Sequence, residues 1–566
     1  MLIILAGKLG LVTTLLALLS IGLPQPSAVQ GQGSRIGMNP PKLVVLFSID
    51  QFRGDYVERF NQYFLPAKSG SKVGGFRFLM ETGAHFRNAI HNHLPTATGP
   101  GHATLMSGSE PAYNGIVGND WFDRKSGKSM YVVSDPSVQT VGGTSGPMSP
   151  RNLKATTVGD ELKMATNGKS KVVGVAVKDR ASILMAGHAA DTVIWWDNGT
   201  GNWVTSTWYA PSKQLPTWVS KLDTDRPWDK FAGKVWEPLL DNDVYSIARR
   251  SPAEKPAENG KPFSHVQSSK LDKSLYNGMI TSQYGNELTF DAATRAIDNE
   301  QLGQHDVPDV LVVNLSTNDY VGHQYGPNSP EVMDITIRTD RLLSDFLNHL
   351  QSKISGGLDN VAVVITGDHG VVPIPEEAND TYKTGAFRGL GEKIVDSVSK
   401  ALVAKFGEGK WILGDGLYEQ NMYLNRDLAR QKGLKMLDLE QTAADAALEV
   451  NGVYSAYTRT QIMNNGVPPV PFLERIVNGF NTQFGGDVFI LEGPGNYEGG
   501  GTGTGHGTVW DYDAHVPIII RARGIKPGNY LKQVHTSDIA PTLSRLLGIE
   551  VPTGNVGVPL VDSITK

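Results

Sequence analysis

The chain of 566 residues contains no cysteine. This absence excludes disulfide bonds, thiol nucleophiles, zinc sites built from thiolates and a lipid attached to an N-terminal cysteine. A basic excess is also lacking, because the formal net charge is −5 and no run of lysine and arginine stands out. Proteins that bind nucleic acid carry basic patches, so no nucleic acid partner is expected.

Long apolar runs are scarce as well. The run from Leu9 to Leu23 follows the single Lys8 and precedes two prolines and several small residues. Its length of about 15 residues is below the roughly 20 that a membrane span requires. These features predict a signal peptide in residues 1–30, cleaved near residues 28–31, and an exported protein that is periplasmic or secreted. A retained N-terminal anchor is the alternative, and no membrane span is expected after signal removal.

Five short runs rich in valine and isoleucine lack polar alternation, which is typical of strands buried on both faces. Helical patterns lie between them, for example at 329–353 and 536–548. The alternation predicts an α/β fold with a mostly parallel central sheet flanked by helices. The five runs are KLVVLFSID (42–50), KVVGVAVKDR (171–180), PDVLVVNLSTND (308–319), NVAVVITGDHG (360–370) and HVPIIIRA (515–522).

Four of these runs end in charged or imidazole side chains. In open α/β sheets, ligands bind beyond the carboxyl ends of the strands, so these side chains are expected to meet at one edge. They are Asp50, Lys178 with Arg180, Asp319, and Asp368 with His369.

Two regions of the predicted catalytic domain (31–566) have the composition of insertions. Residues 190–280 and 375–500 are expected to form caps over the carboxyl edge of the sheet. The second region ends in the glycine-rich stretch EGPGNYEGGGTGTGHG. No helix opens after these glycines and no βαβ unit frames them, so a flexible loop is favoured over a dinucleotide-binding site.

Aspartate and histidine residues form a candidate metal site. Asp319 and His323 are four residues apart, which would place both on one face of a helix. Together with Asp50, Asp368, His369 and His506 they offer oxygen and imidazole donors, which suit zinc, with manganese or iron as alternatives. Six ligands are too many for one tetrahedral zinc and enough for two metals. For each aspartate, a helix-capping role is the alternative. Structural roles are expected for His85, His102, His188, His265, His305, His349, His515 and His535.

The stretch HNHLPTATGPGHATLMSG (91–108) carries two threonines ahead of a predicted helix start. A helix beginning at Thr98 would direct unpaired N–H groups and the positive end of its dipole toward an incoming phosphate. Pro100 suits the first turn, where it loses no hydrogen bond. Thr96 and Thr98 could equally be turn or capping residues.

These motifs, in order along the chain, resemble those of a known family. SIDQFRGDY, LPTATGPGHATLMSG, STNDYVGH, TGDHG and GHGT…DAHVP are similar to motifs of the alkaline phosphatase superfamily. The nearest branch is the type I phosphodiesterase/nucleotide pyrophosphatase group, with the threonine-nucleophile alkaline phosphatases.

The resemblance implies a ligand set and a nucleophile. One zinc would be held by Asp319, His323 and His506, and the other by Asp50, Asp368, His369 and the Thr98 oxygen. Thr98, rather than Thr96, would then be the nucleophile, because a divalent cation favours the alkoxide of an otherwise weak hydroxyl nucleophile.

The resemblance also implies substrate contacts. Asn119 matches an asparagine that contacts a phosphoryl oxygen, and Lys178 with Arg180 match the paired cations of the monoesterase branch. Such a pair would recognise the dianion of a terminal phosphate, and the guanidinium can bind two oxygens at once. The alternative is a strand-end pair that is solvated or bridged to Asp179.

The expected function is an exported phosphomonoesterase with two Zn²⁺ ions per chain, acting on small-molecule phosphate esters through a phosphothreonine intermediate. A nucleotide pyrophosphatase/phosphodiesterase is the first alternative, and a non-catalytic phosphate-binding relative is the second. A sulfatase is disfavoured, because those enzymes use a modified cysteine or serine. The sequence predicts no oligomeric state.

Overall fold

The computed structural model describes residues 40–249, 257 and 260–564. The predicted signal peptide and its cleavage site lie outside these residues. Within them, no helix is both long and apolar enough to cross a membrane.

The described strands are numbered in chain order. They are β1 Leu43–Ile49, β2 Lys68–Ser69, β3 Lys72–Val73, β4 Ala84–Ile90, β5 Asp120–Asp123, β6 Lys128–Tyr131, β7 Thr140–Val141, β8 Val172–Ala176, β9 Thr192–Asp197, β10 Asn202–Ser206, β11 Val235–Trp236, β12 His265–Val266, β13 Asp309–Leu315, β14 Val361–Thr366, β15 Ile412–Tyr418, β16 Asn421–Leu424, β17 Val453–Thr458, β18 Val488–Glu492, β19 His515–Arg521, β20 Gly528–Tyr530 and β21 Val534–His535.

The described α-helices are numbered in the same way. They are α1 Tyr56–Arg59, α2 Phe76–Thr82, α3 Thr98–Ser107, α4 Pro111–Asn114, α5 Val158–Ala165, α6 Asp179–Ala186, α7 Thr217–Asp225, α8 Lys273–Ile280, α9 Gln283–Asn299, α10 Thr317–Tyr325, α11 Pro330–Lys353, α12 Pro375–Tyr382, α13 Leu390–Phe406, α14 Arg426–Gln431, α15 Met436–Leu448, α16 Arg459–Met463, α17 Leu473–Gly479, α18 Asp511–Ala514 and α19 Ile539–Leu547.

The main sheet has a parallel centre and antiparallel flanks. Its strand order is β20-β4-β19-β14-β1-β13-β8-β9-β10-β7, and β21 also pairs with β4. The five strands from β14 to β9 are parallel to one another. On one side, β19 is antiparallel to β14, and on the other, β10 is antiparallel to β9. The predicted α/β class with a mostly parallel sheet is confirmed.

Burial on both faces explains why the central strands read as apolar runs. All seven residues of β1 are buried. On one face, Phe47 packs against Phe290 of α9 and Phe346 of α11, with ring centroids 5.4 and 5.2 Å apart. Helices cover both faces of a parallel sheet. Its central strands therefore have no face in contact with solvent, and polar residues do not alternate with apolar ones along them.

The predicted insertion at 190–280 needs a correction. Strands β9 and β10 belong to the main sheet, so Thr192–Ser206 extends the sheet and does not lie in a cap. The stretch was assigned to an insertion because Trp195, Trp196 and Trp203 interrupt the valine and isoleucine pattern of the other strands. All three indoles are nonetheless buried, and Trp196 packs edge-on against Trp203.

A second sheet lies in the region between β14 and β19. Strands β15, β16, β18 and β17 form an antiparallel sheet in that order. Helices α13 and α15 supply Leu390, Ile394 and Leu439 to a core shared with Val488 and Ile490 of β18. We refer to residues 390–492 as the inserted subdomain. Its core is separate from that of the main sheet.

Candidate active site

The strand ends deliver their side chains to one edge of the main sheet. Asp50 directly follows β1, Lys178 follows β8, and Asp368 follows β14. Asp319 lies in the first turn of α10, just after β13. All four residues are at most 4% exposed. The parallel strands of one sheet therefore bring together residues that are far apart in the sequence.

The first ligand set consists of Asp319, His323 and His506. Asp319 Oδ1 lies 3.1 Å from His323 Nε2 and 3.6 Å from His506 Nε2. Helix α10 accounts for the first pair, because residues four apart lie on one face of a helix. His506 comes from the glycine-rich segment that follows the inserted subdomain.

The second ligand set consists of Asp50, Asp368 and His369. His369 Nε2 lies 3.6 Å from Asp50 Oδ1 and 3.4 Å from Asp368 Oδ2. All three residues are fully buried. The two sets adjoin, since the rings of His369 and His506 stack with centroids 3.6 Å apart.

Each of the three histidines has its Nδ1 atom against a main-chain carbonyl oxygen. The acceptors are Thr504 for His323, Thr96 for His506 and Gly370 for His369, at 2.6, 3.0 and 2.8 Å. Such a bond fixes the tautomer with the proton on Nδ1 and leaves the Nε2 lone pair free, the usual arrangement in metal sites. All three Nε2 atoms face carboxylates.

Burial shifts the pKa values of the carboxyl groups in different directions. Burial raises the pKa of Asp50 to about 6 and raises that of Asp368 well above its usual value. Burial also opposes ionisation of Asp319, but His323 and Lys178 outweigh it and hold the pKa well below its usual value. Burial lowers the pKa of His506 to about 3, so this imidazole is neutral at physiological pH.

The donor chemistry fits divalent cations. Within the described residues, Asp368 Oδ2 is buried without a hydrogen-bond partner. Among the described residues, three carboxylates and three imidazoles lie close together, and the Lys178 ammonium contacts two of the carboxylates. Carboxylate oxygen and neutral imidazole nitrogen are the donors that zinc, manganese and iron accept.

Lys178 lies between the two ligand sets. Its Nζ atom is 3.1 Å from Asp50 and 2.5 Å from Asp319 Oδ2. The resemblance grouped Lys178 with Arg180 as a pair of phosphate contacts. In the structure the ammonium contacts carboxylates of both candidate ligand sets, whereas the guanidinium of Arg180 contacts the Thr98 hydroxyl.

Thr98 is the first residue of α3, as the sequence predicts. The N-cap position is Ala97, and no side chain caps the helix, so the Thr98 hydroxyl has no capping role. Its Oγ1 lies 3.4 Å from His369 Nε2 and 3.4 Å from Arg180 Nη2. Thr96 differs, because its hydroxyl donates to the Thr508 carbonyl at 2.7 Å.

Polar groups around Thr98 form a cradle that suits phosphate. Arg180 Nη1 contacts the Tyr131 hydroxyl at 3.3 Å, and its Nε is buried without a partner within the described part of the chain. The alternative bridge to Asp179 is not formed by the guanidinium, since Asp179 accepts from Tyr131 and from the Arg180 main chain. The Asn119 amide oxygen accepts from the Gly99 N–H at 2.8 Å.

A family model matches most of this chain. The model of the type I phosphodiesterase/nucleotide pyrophosphatase family covers residues 44–404, which include Thr98 and all the metal-ligand candidates except His506. The chain belongs to this family. The resemblance read from the motifs is thereby confirmed.

Three curated relatives of this family member are similar over almost its whole length. "Alkaline phosphatase PhoV" of Synechococcus elongatus is 38% identical over 92% of this chain and 92% of its own. "Alkaline phosphatase PafA" of Elizabethkingia meningoseptica is 37% identical over 93% and 95% of the two chains. A Myroides odoratus protein named "Calcium-transporting ATPase" is 36% identical over 94% and 96%.

A crystal structure of alkaline phosphatase PafA shares the fold. It superposes with a TM-score of 0.83 at 34% identity and covers 93% of this chain and 99% of its own. A second crystal structure is of a PafA variant in which one threonine, one asparagine, one lysine and one arginine are substituted.

Three further residues of this family member contact the site, and no spacing pattern in the sequence indicated them. The Gln51 amide donates to Asp319 Oδ1 at 2.8 Å and its main-chain N–H to Asp368 Oδ1 at 3.1 Å, so Gln51 links the two ligand sets. Tyr131 orients Arg180, and Glu419 of the inserted subdomain reaches Asn119. Of these residues, Gln51 alone could have been suspected from the sequence, because it directly follows Asp50.

His102, predicted to be structural, is close to the site. Its Nδ1 lies 2.8 Å from the Thr98 carbonyl oxygen and 3.2 Å from Asp368 Oδ2. The other histidines predicted to be structural lie outside both ligand sets and contact other groups, among them His188 with Asp160, His265 with Glu331, His305 with Asp309, His349 with Asp298 and His515 with the Arg87 carbonyl.

Proposed function

We propose that this chain is an exported, metal-dependent phosphomonoesterase of the alkaline phosphatase type with Thr98 as its nucleophile. One observation carries the proposal: the Thr98 hydroxyl, free of any capping role, lies within 3.4 Å of both His369 and Arg180. A hydroxyl placed between a metal-ligand set and a guanidinium is positioned to attack a phosphate bound there. The relatives named alkaline phosphatases support the reaction class.

The two ligand sets would hold two divalent cations, for which Zn²⁺ is the proposed identity. Asp319, His323 and His506 would hold one, and Asp50, Asp368 and His369, with the Thr98 oxygen, the other. When bound, the cations supply Lewis-acid charge that favours an ionised hydroxyl and offsets negative charge on the reacting phosphate.

The residues around Thr98 would bind and orient the substrate. Arg180 would contribute Nε and Nη2 to two phosphate oxygens, with Tyr131 holding the opposite edge of the guanidinium. Asn119 would donate its side-chain amide N–H, because its amide oxygen is already occupied by Gly99. The first turn of α3 adds main-chain N–H groups and a positive dipole end.

The proposed reaction consists of two displacements at phosphorus. Attack by Thr98 Oγ1 breaks the bond to the leaving alcohol and forms a phosphothreonine. Water then breaks the Thr98–phosphorus bond, which releases inorganic phosphate and restores the hydroxyl. Two in-line displacements give net retention of configuration at phosphorus.

A monoester preference is proposed from the charge around the phosphate. Arg180 and the ammonium of Lys178 would stabilise the dianion of a terminal phosphate more than the monoanion of a diester. The family model also covers phosphodiesterases and nucleotide pyrophosphatases, so diester hydrolysis is the competing activity that must be measured. We also propose that residues 1–30 are a signal peptide. The inserted subdomain is proposed to cover the carboxyl edge of the main sheet as a cap.

One assay tests the function directly. kcat/KM is measured for p-nitrophenyl phosphate and for bis(p-nitrophenyl) phosphate, before and after chelation and after zinc is restored. We expect faster monoester hydrolysis, loss of both activities on chelation and recovery with zinc. A chain that hydrolyses the bis-ester faster would be a phosphodiesterase, and activity that survives complete chelation would contradict the metal-dependent scheme.

A further inference from the structure

Glu419 occupies the turn between β15 and β16 of the inserted subdomain in a left-handed conformation, with φ of +52°. Residues other than glycine adopt this region at a cost, because the β-carbon approaches the main chain. Glycine would fit this turn without strain. The contacts of the Glu419 side chain are therefore where a compensating interaction is expected.

The Glu419 carboxyl group reaches out of the inserted subdomain to the phosphate cradle. Its Oε1 accepts a hydrogen bond from the Asn119 main-chain N–H at 3.2 Å. The Asn119 side-chain oxygen in turn accepts from the Gly99 N–H, one residue after Thr98. Asn119 is thus held from both sides, by Glu419 through its main chain and by α3 through its side chain.

Two glycines make this close packing possible. A β-carbon on Gly118 would lie 2.9 Å from Glu419 Oε2, and one on Gly99 would lie 3.0 Å from the Gly118 carbonyl oxygen. Side chains at these two glycine positions would have no space. The turn at Glu419, the loop at residues 118–119 and the first turn of α3 therefore form one continuous contact from the inserted subdomain to the helix that begins at Thr98.

The charge state of Glu419 is compatible with a neighbouring phosphate. Its Oε2 is buried and has no hydrogen-bond partner in the described part of the chain. Burial raises the pKa of Glu419 to about 8. The neutral acid retains Oε1 as an acceptor and adds no negative charge beside an incoming phosphate.

We propose that Glu419 is a positioning residue through which the inserted subdomain sets the orientation of Asn119 toward a phosphoryl oxygen. This inference rests on the proposed phosphate contact of Asn119. Glu419 itself does not touch the substrate, and its effect on the rate is transmitted through the Asn119 main chain.

The first test compares Glu419→Ala, Glu419→Gln, Asn119→Ala and the double variant Glu419→Ala/Asn119→Ala. We expect Asn119→Ala to lower kcat/KM for p-nitrophenyl phosphate about tenfold to a hundredfold, the effect of one charged hydrogen bond. Glu419→Ala should lower it by roughly threefold to tenfold. Glu419→Gln keeps the acceptor and the neutral charge, so it should stay within about twofold of wild type. The double variant should match Asn119→Ala, because Glu419 then has nothing to orient.

The second test separates positioning from structural support. Glu419→Gly relieves the left-handed strain but deletes the hydrogen bond to the Asn119 N–H, and these two effects oppose each other. Tm should therefore stay close to that of wild type while kcat/KM falls as in Glu419→Ala. Asn465→Gly is the matched control, because Asn465 has a φ of +54° in the same subdomain and is exposed. Its Tm should be equal to or above that of wild type, with unchanged kcat/KM.

The outcomes are distinguishable. Full activity in Asn119→Ala would refute the proposed phosphate contact of Asn119. Reduced activity in Asn119→Ala with full activity in Glu419→Ala would refute the role of Glu419 alone. A fall in Tm with Glu419→Gly, or multiplied losses in the double variant, would mean that Glu419 acts as a structural support.

Discussion

At the scale of single residues, the two threonines before α3 differ in their hydroxyl partners. Thr98 faces His369 and Arg180, whereas the Thr96 hydroxyl is used by the Thr508 carbonyl. We predict that Thr98→Ala loses nearly all phosphatase activity with folding and metal content retained. Thr96→Ala should keep most activity and lose about 1 kcal/mol of unfolding free energy, the usual effect of one hydrogen bond. Activity assays, elemental analysis and thermal unfolding measure these outcomes.

The covalent intermediate provides an independent check on Thr98. Acid quench during turnover of a ³²P-labelled monoester, followed by peptide mapping, should place the label on the peptide containing Thr98. Label on any other residue, or full activity in Thr98→Ala, would assign the nucleophile elsewhere.

Arg180 tests the preference for monoesters. Its Nε is buried without a partner among the described residues, so a bound phosphate is the group that would satisfy it. Arg180→Ala should lower kcat/KM for monoesters roughly tenfold to over a hundredfold, with a smaller loss for diesters. Arg180→Lys is the control, because it keeps the positive charge but loses the planar guanidinium that can bind two oxygens. Its kcat/KM for monoesters should lie between those of Arg180→Ala and wild type. Equal losses on both substrate classes would show that Arg180 clamps phosphate without regard to its charge.

At the scale of elements, the central strands were predictable and their flanks were not. Asp50, Lys178, Asp319 and Asp368 could be assigned to one edge, since strands buried on both faces stand out as apolar runs. The antiparallel direction of β19 relative to β14 could not be predicted. An apolar run indicates a buried strand, but it does not indicate in which direction that strand runs in the sheet. This reversal places the amino end of β19, at His515, on the edge where the parallel strands have their carboxyl ends.

The contact of Glu419 with Asn119 was equally beyond prediction. The two residues are 300 positions apart. Asn119 lies in the loop before β5 and Glu419 in the turn between β15 and β16, and no sequence pattern around either residue indicates the contact. Tertiary contacts between a turn and a loop have no periodic signature, unlike those between strands and helices.

The glycine-rich segment before His506 is expected to hold this candidate metal ligand in position. A β-carbon on Gly503 would lie 1.9 Å from the His323 carbonyl oxygen, whereas one on Gly500 would meet no atom within 4 Å. Gly503→Ala must therefore push the segment away from α10 and displace Thr504, the Nδ1 partner of His323, and His506. We predict a loss of activity of more than tenfold that added zinc partly restores, with Gly500→Ala close to wild type. Equal behaviour of the two variants would show that the segment does not position His506.

At the scale of the whole molecule, the two ligand sets predict the metal content. Active protein should contain two tightly bound divalent cations per chain, because each set offers three donors within reach of one ion. Asp319→Ala and Asp50→Ala should each lose one cation and retain part of the other. Elemental analysis of purified protein gives the count, and a value of one or less in fully active protein would overturn the two-cation scheme.

The stability of the chelated protein should depend on pH. Burial raises the pKa of Glu110 and Glu419 to about 8 and that of Glu498 and Asp513 to about 7, all outside the ligand sets. The folded state keeps these protons where the unfolded chain has lost them. The buried His85, His91, His93 and His102 act in the opposite direction below pH 6.5, because burial lowers their pKa values from 6.5. Above this pH the carboxyl groups decide the balance, so the folded state binds more protons between about pH 6.5 and 8. The free energy of unfolding should therefore fall as pH rises through this window.

Denaturant unfolding of the chelated protein between about pH 6.5 and 8.5 measures this dependence. Glu110→Gln removes one titrating group and should reduce the slope. A free energy of unfolding that stays constant or rises with pH would contradict the assignment of these groups as protonated in the folded state.

The order of the metal ligands along the chain has a consequence for biosynthesis. Asp50, Asp368 and His369 have all been synthesised once residue 369 is added, but His506 is added only after the whole inserted subdomain. One half of the centre thus has its complete set of donors while the other half still lacks its third. A chain that stops within the inserted subdomain contains every donor of the second ligand set but lacks His506 of the first. Premature termination would therefore leave the proposed two-cation centre incomplete.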